Sequence, residues 1–593
     1  MSMTTRPELI GSVGMAASTH WLASASAMSI LERGGNAADA AVTGGFVLQV
    51  VEPHLCGPGG DLPILVWSES EQEVSVICGQ GVSPAAATIE RMRRLGLDTI
   101  PGTGMLPAVV PGAFDAWLTL LQQHGTMTIR QVLEPALHYA SDGHPLLERA
   151  AATIATVSDL FSSQWTSSAA LWMPEGRVPQ AGERFKNPVL ADTYRRIIAE
   201  AESAGSSRDA QIDAARRAWY QGFVAEQIDT FVANNDVMDA SGECHTGLLT
   251  GDDLAAWHAT VEAPSSFDYG EYTVFKTGPW GQGPVFLQQL ALLKNTDITH
   301  LTPGSAEWVH TIVEAGKLAF ADREAWYGDP HFTDVPLDDL LSPEYNAERG
   351  ALIHQEASLE LRPGNPAGRD ARMPRVEASA GAGGITTGLG EPTVEKSGQT
   401  RGDTCHIDIV DKNGMMISAT PSGGWLQSSP TIPSLGFCLG TRGQMFWLEE
   451  GLPNSLRPGA RPRTTLSPSF ALRDGEPWMA FGTPGGDGQD QWSLQFFLNV
   501  VHGGMNLQEA IDAPAFLSTH APDSFAPRLA HPGGLTIESR AGHETIRELE
   551  RRGHRVEVAP PWSQGRLSAV AREGGWLKAA ANSRGNQGYA VGR

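Results

Sequence analysis

Thr404 has the most distinctive chemical setting in this sequence. It begins a segment of alternating apolar residues, 404–411, and follows a long stretch rich in Gly, Pro, Ser and Thr. Cleavage of the bond between Asp403 and Thr404 would give Thr404 a free α-amino group, whose reference pKa is about 7.7–8.0. Such an amine can accept the proton of its own hydroxyl, which is the N-terminal form of a base-activated nucleophile. Thr404 is therefore a candidate nucleophile, although many ordinary strands also begin with threonine.

A run of glycines is the second feature that suits acyl-transfer chemistry. Residues 482–486 are Gly-Thr-Pro-Gly-Gly and lie between a predicted strand and a predicted helix. Consecutive backbone N–H groups at such a position can converge on an anion. A tetrahedral oxyanion, which forms when a nucleophile attacks a carbonyl, needs donors of this kind. A simple change of chain direction explains the same composition equally well.

The residues that follow Thr404 offer rival assignments. Cys405 is an alternative nucleophile, but we interpret it as a small residue that faces the core. His406 is an alternative base. A strand histidine satisfied by its neighbours is the simpler interpretation, because the α-amine already fills that role. Asp408 and Asp411 resemble an acid pair, yet a solvated strand face and a turn cap explain them more simply.

No motif in the sequence indicates a metal or an organic cofactor. The seventeen histidines are scattered, without HExxH or another metal-ligand spacing. There is no CxxC pair, P-loop or GxSxG, and Gly281-Gln282-Gly283 is too short for a dinucleotide fingerprint. We therefore expect a reaction that needs neither a metal nor an organic cofactor.

Composition argues against several classes of partner. The chain has 593 residues, of which 41% are hydrophobic, and a formal net charge of −24. This charge opposes binding to nucleic acid or to an anionic membrane surface. The most apolar stretch, residues 37–51, is shorter than the ~20 residues that span a bilayer. Five cysteines without a CxxC pair, and an N-terminus without a secretory pattern, predict a cytoplasmic protein with reduced thiols.

Helical patterns dominate the first part of the chain. Gly34-Gly35 ends the first predicted helix, and Asn36 can cap the second. The periodicity predicts helices at residues 20–33, 37–51, 113–121 and 309–326, and strands at 62–67 and 74–78.

The pattern changes in the second part of the chain. Residues 350–403 lack apolar periodicity and predict a long flexible connector. The apolar period then becomes two, which is typical of strands. We predict hairpins at 404–411 with 415–420 and at 469–473 with 478–482, a helix at 489–501, and strands at 567–572 and 577–581. The prediction is a helix-rich half, a loose connector and a strand-rich half.

Motifs along the whole chain resemble those of the γ-glutamyltransferase family of N-terminal-nucleophile (Ntn) hydrolases. Each motif is moderately specific by itself, and together they occur in the family's order. The matching segments are residues 31–41, 51–53, 57–60, 110–112, 314–323, 328–330, 403–411, 462–468 and 482–486.

This resemblance implies an α+β fold, an αββα four-layer sandwich made as a proenzyme. It implies self-cleavage between Asp403 and Thr404 into a large subunit, residues 1–403, and a small subunit, residues 404–593, which stay associated. The resemblance makes Thr404 the nucleophile. It also implies that Gly485 and Gly486 supply the oxyanion N–H groups.

Further roles follow from the same resemblance. Ser422 stands where the family has a supporting threonine, and Thr420 is the next candidate for that support. Thr464 and Thr465 stand where the family usually has two serines that contact the substrate.

The sequence departs from the family at three anchors for the γ-glutamyl group. Gln80 stands at the position of the arginine that holds the α-carboxylate, and Gly424 at the position of an asparagine. Phe446 and Trp447 replace the acidic pair and would offer an apolar wall to the substrate. Because neutral glutamine cannot reproduce the bidentate grip of arginine on a carboxylate, we expect a changed acyl pocket.

We therefore predict a self-cleaving amidohydrolase or acyltransferase that acts on a small acylated substrate other than a standard γ-glutamyl compound. Three alternatives stay open. The first is a C–C bond hydrolase that releases a short oxo-acid such as an oxalyl group in a biosynthetic pathway. The second is a true γ-glutamyltransferase or glutathione hydrolase, and the third is a catalytically inactive homologue.

Overall fold

The computed structural model describes residues 3–376 and 404–593. Asp403, which the sequence predicts to precede the cleavage point, lies outside these described residues. So does the second half of the predicted connector, 377–403.

The strands before residue 377 are numbered in chain order. They are β1 (Leu9–Gly11), β2 (Gly14–Ser18), β3 (Leu62–Ser68), β4 (Glu73–Gly79), β5 (His144–Pro145), β6 (Arg184–Phe185), β7 (Asp236–Met238), β8 (Cys244–Thr246), β9 (Thr260–Glu262), β10 (Ser265–Tyr269) and β11 (Tyr272–Lys276). Those after residue 403 are β12 (Ile407–Asp411), β13 (Met416–Ala419), β14 (Ser469–Arg473), β15 (Glu476–Gly482), β16 (Phe516–Ser518), β17 (Gly534–Glu538), β18 (Arg555–Ala559), β19 (Ser568–Glu573), β20 (Trp576–Ala581) and β21 (Tyr589–Gly592).

Most described helices precede residue 377. They are α1 (Trp21–Glu32), α2 (Ala37–Val51), α3 (Ile89–Arg94), α4 (Ala113–His124), α5 (Ile129–Asp142), α6 (Glu148–Ser163), α7 (Thr166–Trp172), α8 (Pro188–Ser203), α9 (Arg208–Tyr220), α10 (Phe223–Asn234), α11 (Gly251–Ala255), α12 (Pro284–Leu293), α13 (Ala306–Trp326), α14 (Leu337–Leu341) and α15 (Pro343–Gly350). The later ones are α16 (Gln489–Val501), α17 (Leu507–Asp512) and α18 (His543–Arg551).

Two antiparallel seven-stranded sheets form the centre of the molecule. Sheet A has the order β1-β20-β19-β15-β14-β11-β10, and sheet B has the order β21-β2-β12-β13-β3-β4-β9. A buried apolar cluster that includes Trp67, Val410 and Phe470 fills the space between them. Helices α1, α2 and α4 pack on the outer face of sheet B, and α12, α13 and α16 pack on sheet A. These four layers confirm the predicted α+β sandwich.

Both parts of the chain contribute strands to both sheets. In sheet B, β12 from the second part pairs with β2 from the first part and with β13. In sheet A, β14 pairs with β11 from the first part. Helices predominate before residue 377 and strands after residue 403, but the two parts do not form separate layers. The short strands β2, β10 and β11 of the first part, which the periodicity did not predict, lie in the same two sheets as strands of the second part. Separating the two parts would expose paired strand edges and the core between the sheets.

The hairpin β12–β13 is fastened to helix α2 at a cap. Asn36 accepts a hydrogen bond from the N–H of Asp39 at 3.0 Å, and Asp39 accepts one from the N–H of Asn36 at 3.0 Å. This reciprocal pair confirms the predicted cap. Asp411, which also caps its own turn, accepts the N–H of Ala37 at 2.9 Å.

The first part of the predicted flexible connector is bound to the body of the protein. Residues 351–376 contain one short 3-10 turn, Pro366–Gly368, and neither an α-helix nor a strand. The N–H of Gly364 donates to the buried Asp322 carboxylate at 2.7 Å, and Arg362 donates to the carbonyl of Leu352 at 3.0 Å. The sequence predicts a flexible segment here, but individual hydrogen bonds hold it in place. Such contacts leave no periodic pattern in the sequence. Within the described residues, no helix has both the length and the apolar character needed to cross a membrane.

Candidate active site

Thr404 lies at the entrance of β12, buried between the two sheets. It forms an isolated antiparallel bridge with Ser422, and its hydroxyl donates a hydrogen bond to the Ser422 hydroxyl at 3.2 Å. The regular strand begins at Ile407 rather than at Thr404 as predicted. The nucleophile candidate is thus paired with Ser422 through its backbone and through its hydroxyl.

Four residues that lie just beyond the ends of β12, β13, β3 and β4 form one row at this end of sheet B. Ser422 bridges Thr404 on one side and Asp61 on the other. The N–H of Asp61 donates to the carbonyl of Ser422 at 2.8 Å, and the N–H of Ser422 donates back at 3.0 Å. The last register pair of β3 and β4 is Leu62 with Gly79, so Gln80 follows Asp61 in the same row. Directly paired residues point to one face of a sheet, so these four side chains share a face.

That face is the one turned toward sheet A. His406 and Asp408 follow Thr404 at intervals of two and therefore lie on its face. The His406 ring contacts the hydroxyl of Thr420 at 2.9 Å and the carboxylate of Asp408 at 2.9 Å. Asp408 also accepts from the hydroxyls of Ser418 and Ser568, each at 2.8 Å.

These contacts test the interpretations of His406 and Asp408. His406 is satisfied by its neighbours, as predicted. Asp408 is fully buried, so its prediction as part of a solvated strand face is wrong. The face it occupies is covered by sheet A, which the sequence pattern of β12 alone could not reveal.

Cys405 points the opposite way, into the layer of helices behind sheet B. Its Sγ lies 3.2 Å from Oε2 of Glu52. Burial raises the pKa of the Cys405 thiol well above its ordinary value, and the neighbouring Cys56 adds to the effect. A thiol that stays protonated and faces away from the site is a poor nucleophile, which favours the interpretation of Cys405 as a core residue.

The glycine run 482–486 connects β15 to helix α16 above this face. Gly482 packs so closely on the His406 ring that a Cβ would overlap it, and a Cβ at Gly485 would overlap the Trp492 ring. Gly485 and Gly486 have φ values of +123° and +52°, a conformation that suits glycine. Across residues 3–376 and 404–593, the N–H groups of these two glycines donate to no protein acceptor. They are available to an oxyanion.

Buried side chains hold the glycine loop from behind. Gln282 donates to the carbonyl of Gly486 at 3.2 Å, and its own amide oxygen accepts from Arg323 at 2.8 Å. Arg323 also pairs with Asp487, the residue after the two glycines. Sequence reasoning missed this support, although 314–323 was among the motifs that carried the resemblance.

The segment that contains Thr464 and Thr465 lies against the same loop support. The N–H of Gln282 donates to the carbonyl of Thr464 at 2.9 Å. The Thr464 hydroxyl accepts from the N–H of Leu466 at 3.3 Å. The Thr465 hydroxyl is buried and has no hydrogen-bond partner among the described residues. Contact of Thr464 and Thr465 with a substrate stays a prediction.

Asp61 and Arg442 form a buried ion pair next to Ser422, which sequence reasoning missed. The Arg442 guanidinium donates to both carboxylate oxygens of Asp61 at 2.8 Å. Arg442 opens the 3-10 turn Arg442–Met445, which directly precedes Phe446 and Trp447, the two residues that replace the family's acidic pair. A lone arginine in an irregular segment has no pattern that would single it out.

Another buried cluster lies elsewhere, around helix α13. Ligand atoms of His310, Glu314 and His554 lie within 4.8 Å of one another, a grouping that the scattered sequence positions did not predict. Glu314 is already paired with Lys317 at 2.6 Å and with Arg362 at 3.4 Å. Both cations oppose a metal ion there, so the cluster fits an internal polar network.

Comparison with known proteins identifies the family. A family model described as Gamma-glutamyltranspeptidase matches residues 23–592. The chain belongs to the gamma-glutamyltranspeptidase family. It is accordingly an enzyme of the Ntn-hydrolase type, a hydrolase or transferase, as the resemblance implied.

Three individual proteins define the likeness further. The chain is 32% identical over 590 residues, 98% of this chain and 99% of the relative, to the "Glutathione hydrolase-like YwrD proenzyme" of Bacillus subtilis (strain 168). It is 56% identical to an LmbA2991 variant of solved structure, with a TM-score of 0.93 and complete coverage of both chains. It is 27% identical to the cephalosporin acylase from Bacillus halodurans, with a TM-score of 0.83 over 100% of this chain and 97% of that chain.

Gln80 of this chain is buried and lines a cavity beside the row. Its amide nitrogen donates to the carbonyl of Gly81 at 3.3 Å, while its amide oxygen has no partner among the described residues. The cavity, of about 180 Å³, is also lined by Cys78, Asp329 and Arg461. Arg461 pairs with Asp329 at 2.8 Å, so its charge is already neutralised.

Gly424 serves a close approach of two backbones. Its φ is +64°, and a Cβ there would lie 2.9 Å from the nitrogen of Gly60 and 3.1 Å from the carbonyl oxygen of Cys438. A side chain at this position would meet backbone on two sides. Gly424 was predicted to be a substrate-binding position. Its backbone geometry instead indicates that glycine is needed there for close packing of two chain segments.

The two aromatic residues after Met445 separate. Phe446 is buried in a small apolar cluster with Met92, Leu106 and Leu448, so it belongs to the core instead of forming the predicted apolar wall. Trp447 is partly exposed. The guanidinium carbon of Arg528 lies 4.0 Å from the centroid of the Trp447 ring.

Proposed function

We propose that this chain is a self-cleaving acyl hydrolase or acyltransferase whose nucleophile is the N-terminal Thr404 of its small subunit. The observation that carries the proposal is the position of the Thr404 hydroxyl, on the inter-sheet face, bonded to Ser422 and below a loop with two available N–H groups. Membership of a family whose relatives are named proenzymes supports the cleavage. The subunits would be residues 1–403 and 404–593.

Cleavage begins with Thr404 itself. Its hydroxyl attacks the carbonyl of Asp403, the amide becomes an ester, and water then hydrolyses the ester. The products are a carboxylate on Asp403 and an α-amino group on Thr404. Because strands of both parts alternate in both sheets, the two subunits would stay associated after the cut.

Turnover repeats the same chemistry on a substrate. The α-amine of Thr404 takes the hydroxyl proton as the oxygen attacks the acyl carbonyl. The N–H groups of Gly485 and Gly486 stabilise the oxyanion. The proton passes to the leaving group, and water or an acceptor amine releases the acyl group from Thr404.

We further propose that the acyl group differs from a standard γ-glutamyl group. Gln80 is neutral, Gly424 is packed against Gly60 and Cys438, and Phe446 lies in the core. These positions offer neither a guanidinium for an α-carboxylate nor an acid for an α-amine. The cytoplasmic location stays a prediction.

A denaturing gel of the purified protein tests the cleavage. Wild type should give two bands, at roughly two-thirds and one-third of the full length, and Thr404→Ala should give one. Thr404→Ser, which keeps a hydroxyl, is the matched control and should still be cut. A single wild-type band, or two bands from Thr404→Ala, would refute the proposal.

Turnover of p-nitroanilides tests the acyl pocket. Wild type should hydrolyse γ-glutamyl-p-nitroanilide far more slowly than the best of a panel of other short acyl-p-nitroanilides. Equal or faster turnover of the γ-glutamyl compound would show that the three changed anchors do not alter the pocket.

A further inference from the structure

We propose that Arg442, held in place by Asp61, binds a carboxylate on the acyl part of the substrate. The inference rests on the proposed function, since it assigns the substrate class of the same site. It commits to an acyl group that ends in, or carries, a carboxylate. A purely internal ion pair that only fastens the 442–445 turn to sheet B is the alternative that the experiment must separate.

The first step is the position of Asp61. Asp61 and Thr404 are the two neighbours of Ser422 in the row, and all three side chains lie on the face turned toward sheet A. Two steps across an antiparallel ladder cover about 10 Å between backbones. The carboxylate of Asp61 therefore places its partner guanidinium within the span of a small acyl chain from the Thr404 hydroxyl.

The second step is the state of the Arg442 side chain. Its Nε and Nη2 donate to Asp61 at 2.8 Å each, which leaves Nη1 with two N–H groups. Nη1 is buried and has no hydrogen-bond partner among the described residues. Leaving a buried charged donor unsatisfied is costly, so this end of the guanidinium is suited to an acceptor that the protein itself does not provide.

The third step concerns the surroundings of the guanidinium. It lies 5.5 Å from the centroid of the Trp425 ring and 5.9 Å from that of Phe525. Both rings are buried. Aromatic neighbours on a guanidinium exclude water and fix its plane. A carboxylate that reaches Nη1 would thus meet an oriented, dehydrated donor pair, the geometry in which charge-assisted hydrogen bonds are strong.

The fourth step is the charge on the turn. Arg528 donates to the carbonyls of Gln444 and Phe446 in the same turn, and within the described part of the chain it forms no ion pair. Asp61 is paired with Arg442 at this turn, and Glu324, Asp523 and Asp487 act electrostatically on Arg528. The charges around the turn are thus largely balanced, and the preference for an anion rests on Nη1 of Arg442.

Gln80, the fourth member of the row, is a weaker candidate than Arg442 for binding a carboxylate. A neutral amide there supplies no charge for a carboxylate. The guanidinium of Arg442 is instead held by Asp61. Asp61 lies one position nearer to Thr404 in the row than Gln80 does. A carboxylate-bearing acyl group would therefore lie along the row in a different orientation from one held at position 80.

Hydrolysis of such a substrate releases a dicarboxylic acid, which provides a probe independent of turnover. We would titrate the mature protein with oxalate, succinate and glutarate by calorimetry, and with the matching diamides. Wild type should bind at least one of these dicarboxylates, and its diamide at least tenfold more weakly. The chain length that binds best would measure the distance from the oxyanion loop to Arg442.

Variants separate binding from folding. Arg442→Gln alone would leave Asp61 buried without a partner and could unfold the protein, so the decisive variant is Asp61→Asn/Arg442→Gln. It should remain folded and lose at least tenfold in dicarboxylate affinity, while Arg442→Lys retains part of it. The matched control is Glu538→Gln/Arg584→Gln, which removes a buried ion pair of 3.0 Å in another sheet and should leave affinity unchanged.

Two results would overturn the inference. One is wild type that binds none of the dicarboxylates. The other is a folded Asp61→Asn/Arg442→Gln protein that binds them as wild type does. Failure of the proposed function has a different signature, because an uncut wild-type chain on a denaturing gel would refute the nucleophile whatever the titration shows.

Discussion

Thr404 and Ser422 face each other across an isolated antiparallel bridge, 3.2 Å apart at their hydroxyl oxygens. Their backbones belong to the two arms of one hairpin, so the distance between the hydroxyls is fixed by strand pairing. Ser422 is in turn fixed by Asp61 through two backbone hydrogen bonds. The residue whose hydroxyl contacts that of the proposed nucleophile is thereby itself built into sheet B.

Ser422→Ala should slow both chain cleavage and turnover about tenfold, because it removes one hydrogen bond to the proposed nucleophile, worth ~1.4 kcal/mol. Ser422→Thr keeps the hydroxyl and should stay within about threefold of wild type. The rate of appearance of the two fragments on a gel, and p-nitroaniline release, measure the two effects. Wild-type rates for both in Ser422→Ala would show that Ser422 does not position Thr404.

Cys405→Ala should leave turnover nearly unchanged, since the thiol faces Glu52 behind the sheet and burial keeps its pKa high. Cys244, the exposed member of the five cysteines, is the internal control for reactivity. Iodoacetamide should label Cys244 in the folded protein, and all five only after denaturation. Rapid labelling of Cys405, together with lost turnover in Cys405→Ala, would restore it as a nucleophile.

Gly485→Ala should abolish turnover and destabilise the protein. A φ of +123° is strained for alanine, at a cost of about 1–2 kcal/mol, and the new Cβ would overlap Trp492. Gly475→Ala is the matched control, since its φ is +81° and nothing lies within 4 Å of its Cβ. Thermal unfolding of both, with turnover of each, separates backbone strain alone from displacement of the oxyanion N–H donors by the clash with Trp492. Full activity in Gly485→Ala would contradict the assignment of the loop.

Buried His20 should make the folded protein less stable in acid. Its Nδ1 accepts the N–H of Leu22 at 3.0 Å, and burial, with a smaller effect of His144, lowers its pKa to about 3. The unfolded chain binds a proton near pH 6.5 and the folded protein does not. Stability is therefore fully present above pH 6.5 and falls as the pH drops below it, by up to ~1.4 kcal/mol per pH unit from this group.

The matched variant is His20→Asn, which can still cap helix α1 but does not titrate. Urea midpoints at pH 7.5, 6 and 5 should fall less steeply for it than for wild type. Thr404→Ala provides a background that we expect to stay one polypeptide. Equal pH dependence in both would show that His20 contributes no acid sensitivity.

Local patterns predicted the regular elements of this fold well. Asn36 after two glycines predicted the start of α2, and the turn at Asp411 predicted the β12–β13 hairpin. These features are decided by neighbours within a few residues. Strand β2 pairs with β12 and β21, and β11 pairs with β14, all about 200 or more residues away, so local patterns did not predict them. Strand β10 pairs with its neighbour β11, and this short hairpin was missed.

The site was predictable only where chemistry concentrates in a motif. Thr404 and the glycine run 482–486 were found because a nucleophile and an oxyanion loop have recognisable residue types. Asp61 and Arg442 are 381 residues apart, and their pairing becomes visible only when the strands are aligned. Asp408 was misread because burial of a strand face depends on a second sheet.

The most direct test is the intact mass of the purified protein before and after it reacts with the best acyl-p-nitroanilide. We expect a fragment that begins at Thr404 and ends at Arg593, which then gains the mass of the acyl group on its first residue. Fragmentation of that adduct locates the group. An uncut polypeptide that turns over substrate at the full rate, or an acyl group found on Cys405, would contradict this expectation.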